Sequence, residues 1–88
     1  MTTRYAIQLA DFMHLRQHDP ALGIVLAANA ERASVQIGAE RFDDEALPLA
    51  CPSEQAAALV ELVRTKYSRD VVRIWRNETG ARSAWKRV

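Results

Sequence analysis

With 88 residues, of which 49% are apolar and 26% charged, the chain has room for one globular domain with a single core, and this composition disfavours extended disorder. Its one cysteine, Cys51, excludes an internal disulfide, and no uncharged stretch approaches the roughly 20 residues that span a bilayer. The net charge of +1 divides unevenly: residues 1–63 carry four Arg against nine Asp and Glu (−5), while residues 64–88 carry eight Lys and Arg against two acids (+6).

The first half of the chain predicts three strands. Residues 5–9 alternate large apolar with small or polar side chains, as a half-buried strand does. Residues 22–28 form a continuous apolar run, which at this length favours a strand over a helix. Residues 33–42 alternate again, and residues 29–32 between these two runs predict a hairpin connection.

The segment between the first two predicted strands is ambiguous. Asp11 could cap a short helix that carries Phe12 and Leu15 on one side. Pro20 would end that helix, because a proline disfavours helical geometry at the residue before it.

The second half predicts a loop over residues 43–52 and then the clearest helix of the chain, over residues 53–67. Ser53 is the expected N-cap, and Glu54 in the first turn suits the helix dipole. The apolar positions recur at helical spacing and form one broad stripe: Ala56, Leu59, Val60, Leu62, Val63 and Tyr67.

The last segment predicts a hairpin between residues 71–76 and 81–88, with Gly80 in the left-handed position of a bulged turn. The expected fold is therefore a single compact α+β domain. It has a small, mainly antiparallel sheet, elements in the order β-β-β-α-β-β and one principal helix on one face.

No pattern in the sequence assembles a catalytic or metal centre, so we expect no enzyme, metal or cofactor. His14 and His18 have the spacing of two ligands on one helical face but lack a convincing third ligand. Cys51 precedes a helix N-terminus without a second cysteine or a neighbouring histidine. The acids at residues 43–45 lack the spacing of a calcium loop.

The hairpin offers the most informative surface. In the expected register Trp75 lies opposite Ser83, and tryptophans and arginines share the face that points away from the helix; a one-residue slip would turn Trp85 inward. Such a face can grip a protein partner or stack on nucleic-acid bases, although buried core tryptophans are the alternative. The expected partner-binding residues are Arg73, Trp75, Arg82, Trp85, Lys86 and Arg87.

A second expected surface is the sheet face away from the helix. If Tyr5, Ile7, Val35 and Ile37 face the helix, the opposite face is small and uncharged and suits a covering partner. Its residues are Ala6, Gln8, Val25, Ala27, Gln36 and Gly38.

These features favour a small, non-catalytic protein-interaction module, a regulator or inhibitor of a larger host or phage complex, which could also self-associate as a homo-oligomer. The alternative is a nucleic-acid-binding protein that uses the basic C-terminal hairpin, although pI 8.0 is low for that class. The absence of a secretory signal in the first residues and the single cysteine predict a cytoplasmic protein with no membrane partner.

Overall fold

The computed structural model describes residues 3–39, 42–81 and 84–88, with the backbone alone at residues 38, 39 and 42–44. Its elements in chain order are β1 (Arg4–Gln8), α1 (Leu9–His18), α2 (Pro20–Ala28), β2 (Val35–Ala39), β3 (Phe42–Pro48), α3 (Ser53–Lys66), β4 (Ile74–Asn77) and β5 (Trp85–Arg87). The strands form one antiparallel sheet in the order β2-β3-β1-β4-β5. The predicted α+β class is confirmed, but the predicted order of elements and the single principal helix are wrong.

Residues 22–28 belong to helix α2 and not to the predicted strand. Asp19 begins the helix, since its carboxylate accepts a hydrogen bond from the backbone N–H of Leu22 at 3.3 Å. Pro20 occupies the first turn, where its missing N–H costs nothing. Leu22 and Leu26 lie one turn apart and are both buried. The predicted hairpin connection after this run is wrong for the same reason, because it joins a helix to β2.

The predicted loop at residues 43–52 is also wrong, because residues 43–48 belong to strand β3, which lies inside the sheet. β3 pairs with β2 on one side, where Val35 lies opposite Ala46, and with β1 on the other, where Ile7 lies opposite Leu47. Acidic residues are depleted in strands. Pairing with β2 overrides that local preference for the acidic residues 43–45, while residues 46–48 also pair with β1.

Helix α1 follows β1 directly and ends before Pro20, as the sequence predicts. Phe12 and Leu15 are buried on one side of it. Asp11 lies in the first turn and does not cap the helix, because α1 begins two residues earlier, at Leu9.

Helix α3 confirms the strongest prediction from the sequence, with two corrections. Ser53 is the first helical residue and makes no side-chain capping hydrogen bond. Leu59 and Val63 are buried as expected, but Leu62, which was assigned to the same apolar stripe, is 42% exposed.

The two sheet faces differ in what covers them. On one face the helices pack over Ile7 and Ile74, with the remaining buried residues of this cluster being Phe12, Leu15, Leu22, Leu26, Leu59, Val63 and Val72. The other face carries a cluster of strand residues alone: Ala6, Ile37, Ala46 and Trp75, with Val35 and Trp85 packed beside them. Because these side chains are buried without a helix among them, the sheet curls so that its own residues cover one another.

This arrangement contradicts the predicted open sheet face. Ala6 is 0% and Gln8 is 6% exposed, and Val25 lies in α2. Val35 and Ile37 pack on the same face as Ala6, whereas the sequence prediction placed them under the helix.

The terminal hairpin forms, but in another register. Trp75 lies opposite Arg87 and not opposite Ser83, which is outside the described residues. The partner of Trp75 is shifted by four positions from the predicted one. Because side chains alternate between the two faces of a strand, an even shift leaves every side chain on its predicted face. Trp85 therefore stays on the face of Trp75, and the one-residue slip is excluded.

The turn after β4 depends on Asn77. Its Oδ1 accepts hydrogen bonds from the backbone N–H groups of Thr79 and Gly80, at 3.1 and 2.8 Å, and its Nδ2 donates to the carbonyl of Ala81 at 2.8 Å. Gly80 has a φ of 81°, the left-handed conformation that the sequence predicts.

Candidate interaction surface

The predicted partner-binding face of the hairpin has a tryptophan at its centre, and that tryptophan is buried. Trp75 is 8% exposed and packs with Ala6, Ile37 and Ala46, while Trp85 is half-buried against the same cluster. Ala6 lies directly opposite Trp75 across the strands, and its small side chain leaves room for the indole. The prediction that Trp75 projects into solvent is therefore wrong.

Arg73 turns towards helix α1 and does not lie beside an exposed tryptophan. Its Nε donates to Oδ2 of Asp11 at 3.0 Å and its Nη2 donates to Oδ1 at 3.4 Å. The backbone N–H of Arg73 donates to the same carboxylate at 2.9 Å, and its carbonyl accepts from the N–H of Gln8 at 2.9 Å. These contacts join the start of β4 to the first turn of α1.

The other basic residues of the hairpin are dispersed. Lys86 lies opposite Arg76 on the face away from Trp75, because neighbouring residues in a strand point to opposite sides. Arg87 donates from Nη2 to the carbonyl of Arg69 at 2.7 Å. Arg82 lies outside the described residues. Of the six predicted residues, the structure brings three onto one sheet face: Trp75, Trp85 and Arg87.

Arg64 of α3 holds the last strand in place. Its Nη1 donates to the carbonyl of Val72 at 2.8 Å and its Nη2 to the carbonyl of Val88 at 2.9 Å. Burial lowers the pKa of Arg64, and the nearby cations of Arg87 and Arg69 lower it further. Arg64, Arg69 and Arg87 thus form a cluster of positive charge near the C-terminal end of α3.

Helix α2 is the unusual element of this molecule, because all nine of its residues are uncharged and apolar or glycine. A helix that is apolar all round is normally buried. Here only Leu22, Gly23 and Leu26 are buried, whereas Ile24 is 69% and Val25 is 39% exposed. The outer side of α2 therefore presents large apolar side chains to solvent.

On one side, α2 is held close to α1 by Gly23. A Cβ atom at this position would lie 2.9 Å from the Cα of Arg16, closer than atoms of two packed side chains approach. Glycine is required here by close packing of the two helices.

On its other side, α2 is held beside α3 at both ends. Asp19 accepts hydrogen bonds through Oδ2 from the hydroxyl of Tyr67 at 3.0 Å and from Nζ of Lys66 at 3.4 Å. At the opposite end, Oδ1 of Asn29 accepts from Nε2 of Gln55 at 2.7 Å. The start of α2 thus meets the end of α3, and the two helices lie antiparallel.

The contacts of Asp19 shift two acid–base equilibria. The hydrogen bond from the Tyr67 hydroxyl, supported by the Leu22 N–H and by Lys66, holds the pKa of Asp19 below its usual value. The same carboxylate raises the pKa of the Tyr67 hydroxyl. The ionised form of Asp19 is therefore the form that holds α2 against α3.

The stripe of α3 that faces α2 continues the apolar surface. Gln55, Ala58 and Leu62 are three and four residues apart, so they lie along one side of the helix. Since Gln55 touches α2, this is the side next to that helix. We call the resulting surface the α2–α3 apolar face; its exposed residues are Ala21, Ile24, Val25, Ala28, Ala58 and Leu62.

This face was not predicted from the sequence, because residues 22–28 were assigned to a strand. The signal that identifies the helix is the Asp19-Pro20 pair, an N-cap residue followed by proline at the first helical position.

Other candidate groups remain apart. Cys51 is half-buried beside an open cleft of about 300 Å³, whose lining also includes the Arg4–Glu31 ion pair. His14 and His18 are exposed, with ring centroids 4.2 Å apart. Among the described residues, no three potential metal ligands come together, and no helix is long and apolar enough to cross a membrane.

Comparisons of the chain with models of known families, with curated proteins and with solved structures find no significant match.

Proposed function

We propose that this chain is a small, non-catalytic protein-interaction module that binds its partner through the α2–α3 apolar face. The observation that carries this proposal is Ile24, which is 69% exposed at the centre of a helix without a polar side chain. A module of this size acts by occupying a surface of a larger assembly, as a regulator or inhibitor does.

The composition of the surface supports this role. Burying one large aliphatic side chain contributes about 1.5–3 kcal/mol, and Ile24, Val25 and Leu62 are all exposed on two neighbouring helices. Polar groups border them at both ends of the helix pair, including Gln55 and Lys66. An apolar centre with a polar rim is the usual anatomy of a protein interface.

The hairpin supports this role less than the sequence predicts. Trp75 is buried and Arg73 is bonded to Asp11, so neither presents a free recognition group. Trp85 and Arg87 remain as candidates for a secondary contact.

Site-specific photocrosslinking in a lysate of the source organism tests the proposal. A photoreactive amino acid replaces Ile24, and a control variant carries it at Gln36, an exposed position on edge strand β2. We expect a discrete adduct from position 24 and none from position 36, with the partner identified by mass spectrometry. The absence of an adduct at position 24, or equal adducts at both positions, would reject the apolar face as the binding surface.

Binding of nucleic acid is the second candidate, favoured by the cluster of positive charge near the C-terminal end of α3. Arg69 and Arg87 are close enough to Arg64 to lower its pKa, so their cations concentrate positive potential there. Fluorescence anisotropy with labelled single- and double-stranded oligonucleotides tests this at low salt. Binding that weakens with salt and in an Arg69→Ala variant is expected; the absence of binding excludes this candidate.

A further inference from the structure

We infer that the partner of the α2–α3 apolar face is a second copy of this chain, packed antiparallel about a two-fold axis. This inference rests on the proposed function and specifies the partner that the same surface recognises. A two-fold interface brings one patch against itself, so the patch must be complementary to its own rotated copy.

The side chains of α2 satisfy that condition. With the axis passing between Ile24 and Val25, Ile24 meets the partner's Val25, and Ala21 meets the partner's Ala28. Large residues then meet large ones and small meet small, and no charge on α2 opposes the approach.

The charges at the two ends of α3 favour the antiparallel arrangement. Its first turn carries Glu54 and its last turn carries Lys66, whose side chain is 53% exposed. Rotation about an axis perpendicular to the helices places Glu54 near the partner's Lys66, and Lys66 near the partner's Glu54. A parallel arrangement would place like ends together. Glu61, two turns after Glu54 on the same side of the helix, would meet its own copy near the axis. The two attractive pairs at the ends outnumber this one contact between like charges.

One axis serves both helix pairs. The hydrogen bonds from Asp19 to Lys66 and Tyr67, and from Asn29 to Gln55, place the middle of α2 beside the middle of α3. The point midway between Ile24 and Val25 therefore lies level with the point midway between Glu54 and Lys66. A standard interface buries about 800 Å² per partner, about one seventh of this chain's 5805 Å² of accessible surface.

Sedimentation velocity of the purified chain over a wide concentration range tests the arrangement. We expect a monomer–dimer equilibrium for the wild type and a monomer at all concentrations for Ile24→Asp. The control Gln36→Asp, which adds the same charge at an exposed position on β2, should dimerise as the wild type does. Circular dichroism of each variant establishes that the fold is retained.

Charge reversal tests the antiparallel orientation separately. Glu54→Lys should weaken dimerisation about tenfold, because it replaces both cross-subunit pairs by contacts between like charges. Lys66 is left unchanged, since its Nζ also pairs with Asp19 of its own subunit. A wild type that stays monomeric at all concentrations, or a Glu54→Lys variant that dimerises as tightly as the wild type, overturns the inference. A monomer whose position 24 crosslinks to a different protein overturns the dimer but leaves the interaction module, whereas no crosslink at all removes both.

Discussion

Trp75 fills the inner side of the curled sheet, so it belongs to the core and not to a recognition surface. Trp75→Ala should lower the free energy of unfolding by about 3–5 kcal/mol, the range for a large aromatic residue removed from a core. Trp85→Ala, at a half-buried position on the same face, should cost clearly less. Urea unfolding of both variants gives the comparison, and equal losses would show that the indole of Trp75 is no more enclosed than that of Trp85.

The stability of the α2–α3 contact should depend on pH through Asp19. Because the Tyr67 hydroxyl and the other donors depress the pKa of Asp19, its ionised form stabilises the folded state. That contribution is complete above the unfolded pKa of about 3.9 and is lost as the pH falls through the lower folded pKa. The difference in urea midpoint between the wild type and Asp19→Asn should therefore shrink below about pH 4.

Asp70→Asn supplies the control for this titration. The side chain of Asp70 is 99% exposed, and its one ion pair, with Arg87, spans 3.9 Å. Its midpoint should follow the wild type closely from neutral to acidic pH. A gap between wild type and Asp19→Asn that stays constant over the same range would contradict the assigned role of the Asp19 carboxylate.

At the scale of elements, Gly23 determines how closely α1 and α2 pack. Helix propensity alone predicts that Gly23→Ala stabilises the chain by about 1 kcal/mol. The contact predicts the opposite sign, because the new Cβ would lie 2.9 Å from the backbone Cα of Arg16. We expect a loss of about 1–3 kcal/mol in the free energy of unfolding, measured by urea denaturation.

A second variant separates backbone from side-chain crowding at this contact. Arg16→Ala removes the side chain but leaves the Cα, so it should not restore the stability of Gly23→Ala. A stabilised Gly23→Ala protein would mean that the two helices move apart at little cost.

The elements that could be predicted from sequence are those with a long or regular pattern. Helix α3 has fourteen residues, enough for its period to be unambiguous. Helix α2 is a continuous apolar run of nine residues, and periodicity alone cannot distinguish a buried strand from a helix at that length. Strand β3 was missed because its acidic residues argued for a loop and its pairing with β1 joins distant residues, such as Ile7 and Leu47. Its pairing with β2 is local and was overlooked for the first of these reasons.

The errors in the predicted binding site also arise from contacts between residues that are distant in the sequence. Side-chain alternation correctly placed Trp75 and Trp85 on one face of the hairpin, because that division depends only on strand parity. Whether this face is open depends on the curl of the sheet, which no local pattern reports. The contact of Arg73 with Asp11 joins residues 62 positions apart and was equally hidden.

At the scale of the whole molecule, most large apolar side chains fall into three groups: a core beneath the helices, a smaller core inside the curled sheet, and the outer face of α2 and α3. Met13 on α1 and Val71 before β4 are exposed outside these groups. The first two groups are buried by folding of the chain itself. The third is left uncovered, although each large residue in it lies within one turn of a buried one. Folding therefore positions this face without burying it.

Because one side of α2 is exposed and the other is buried, substitutions of two nearby aliphatic residues of this helix should affect the free energy of unfolding very differently. Ile24 is 69% exposed and Leu26 is 2% exposed. Ile24→Gln should change the free energy of unfolding by no more than about 0.5 kcal/mol, as surface substitutions do, whereas Leu26→Ala should cost about 2–5 kcal/mol. Urea unfolding must be measured at a low protein concentration, because self-association would add stability that depends on concentration. If Ile24→Gln costs as much as Leu26→Ala under those conditions, the α2–α3 apolar face is part of the monomer's own core, and no partner is needed to explain it.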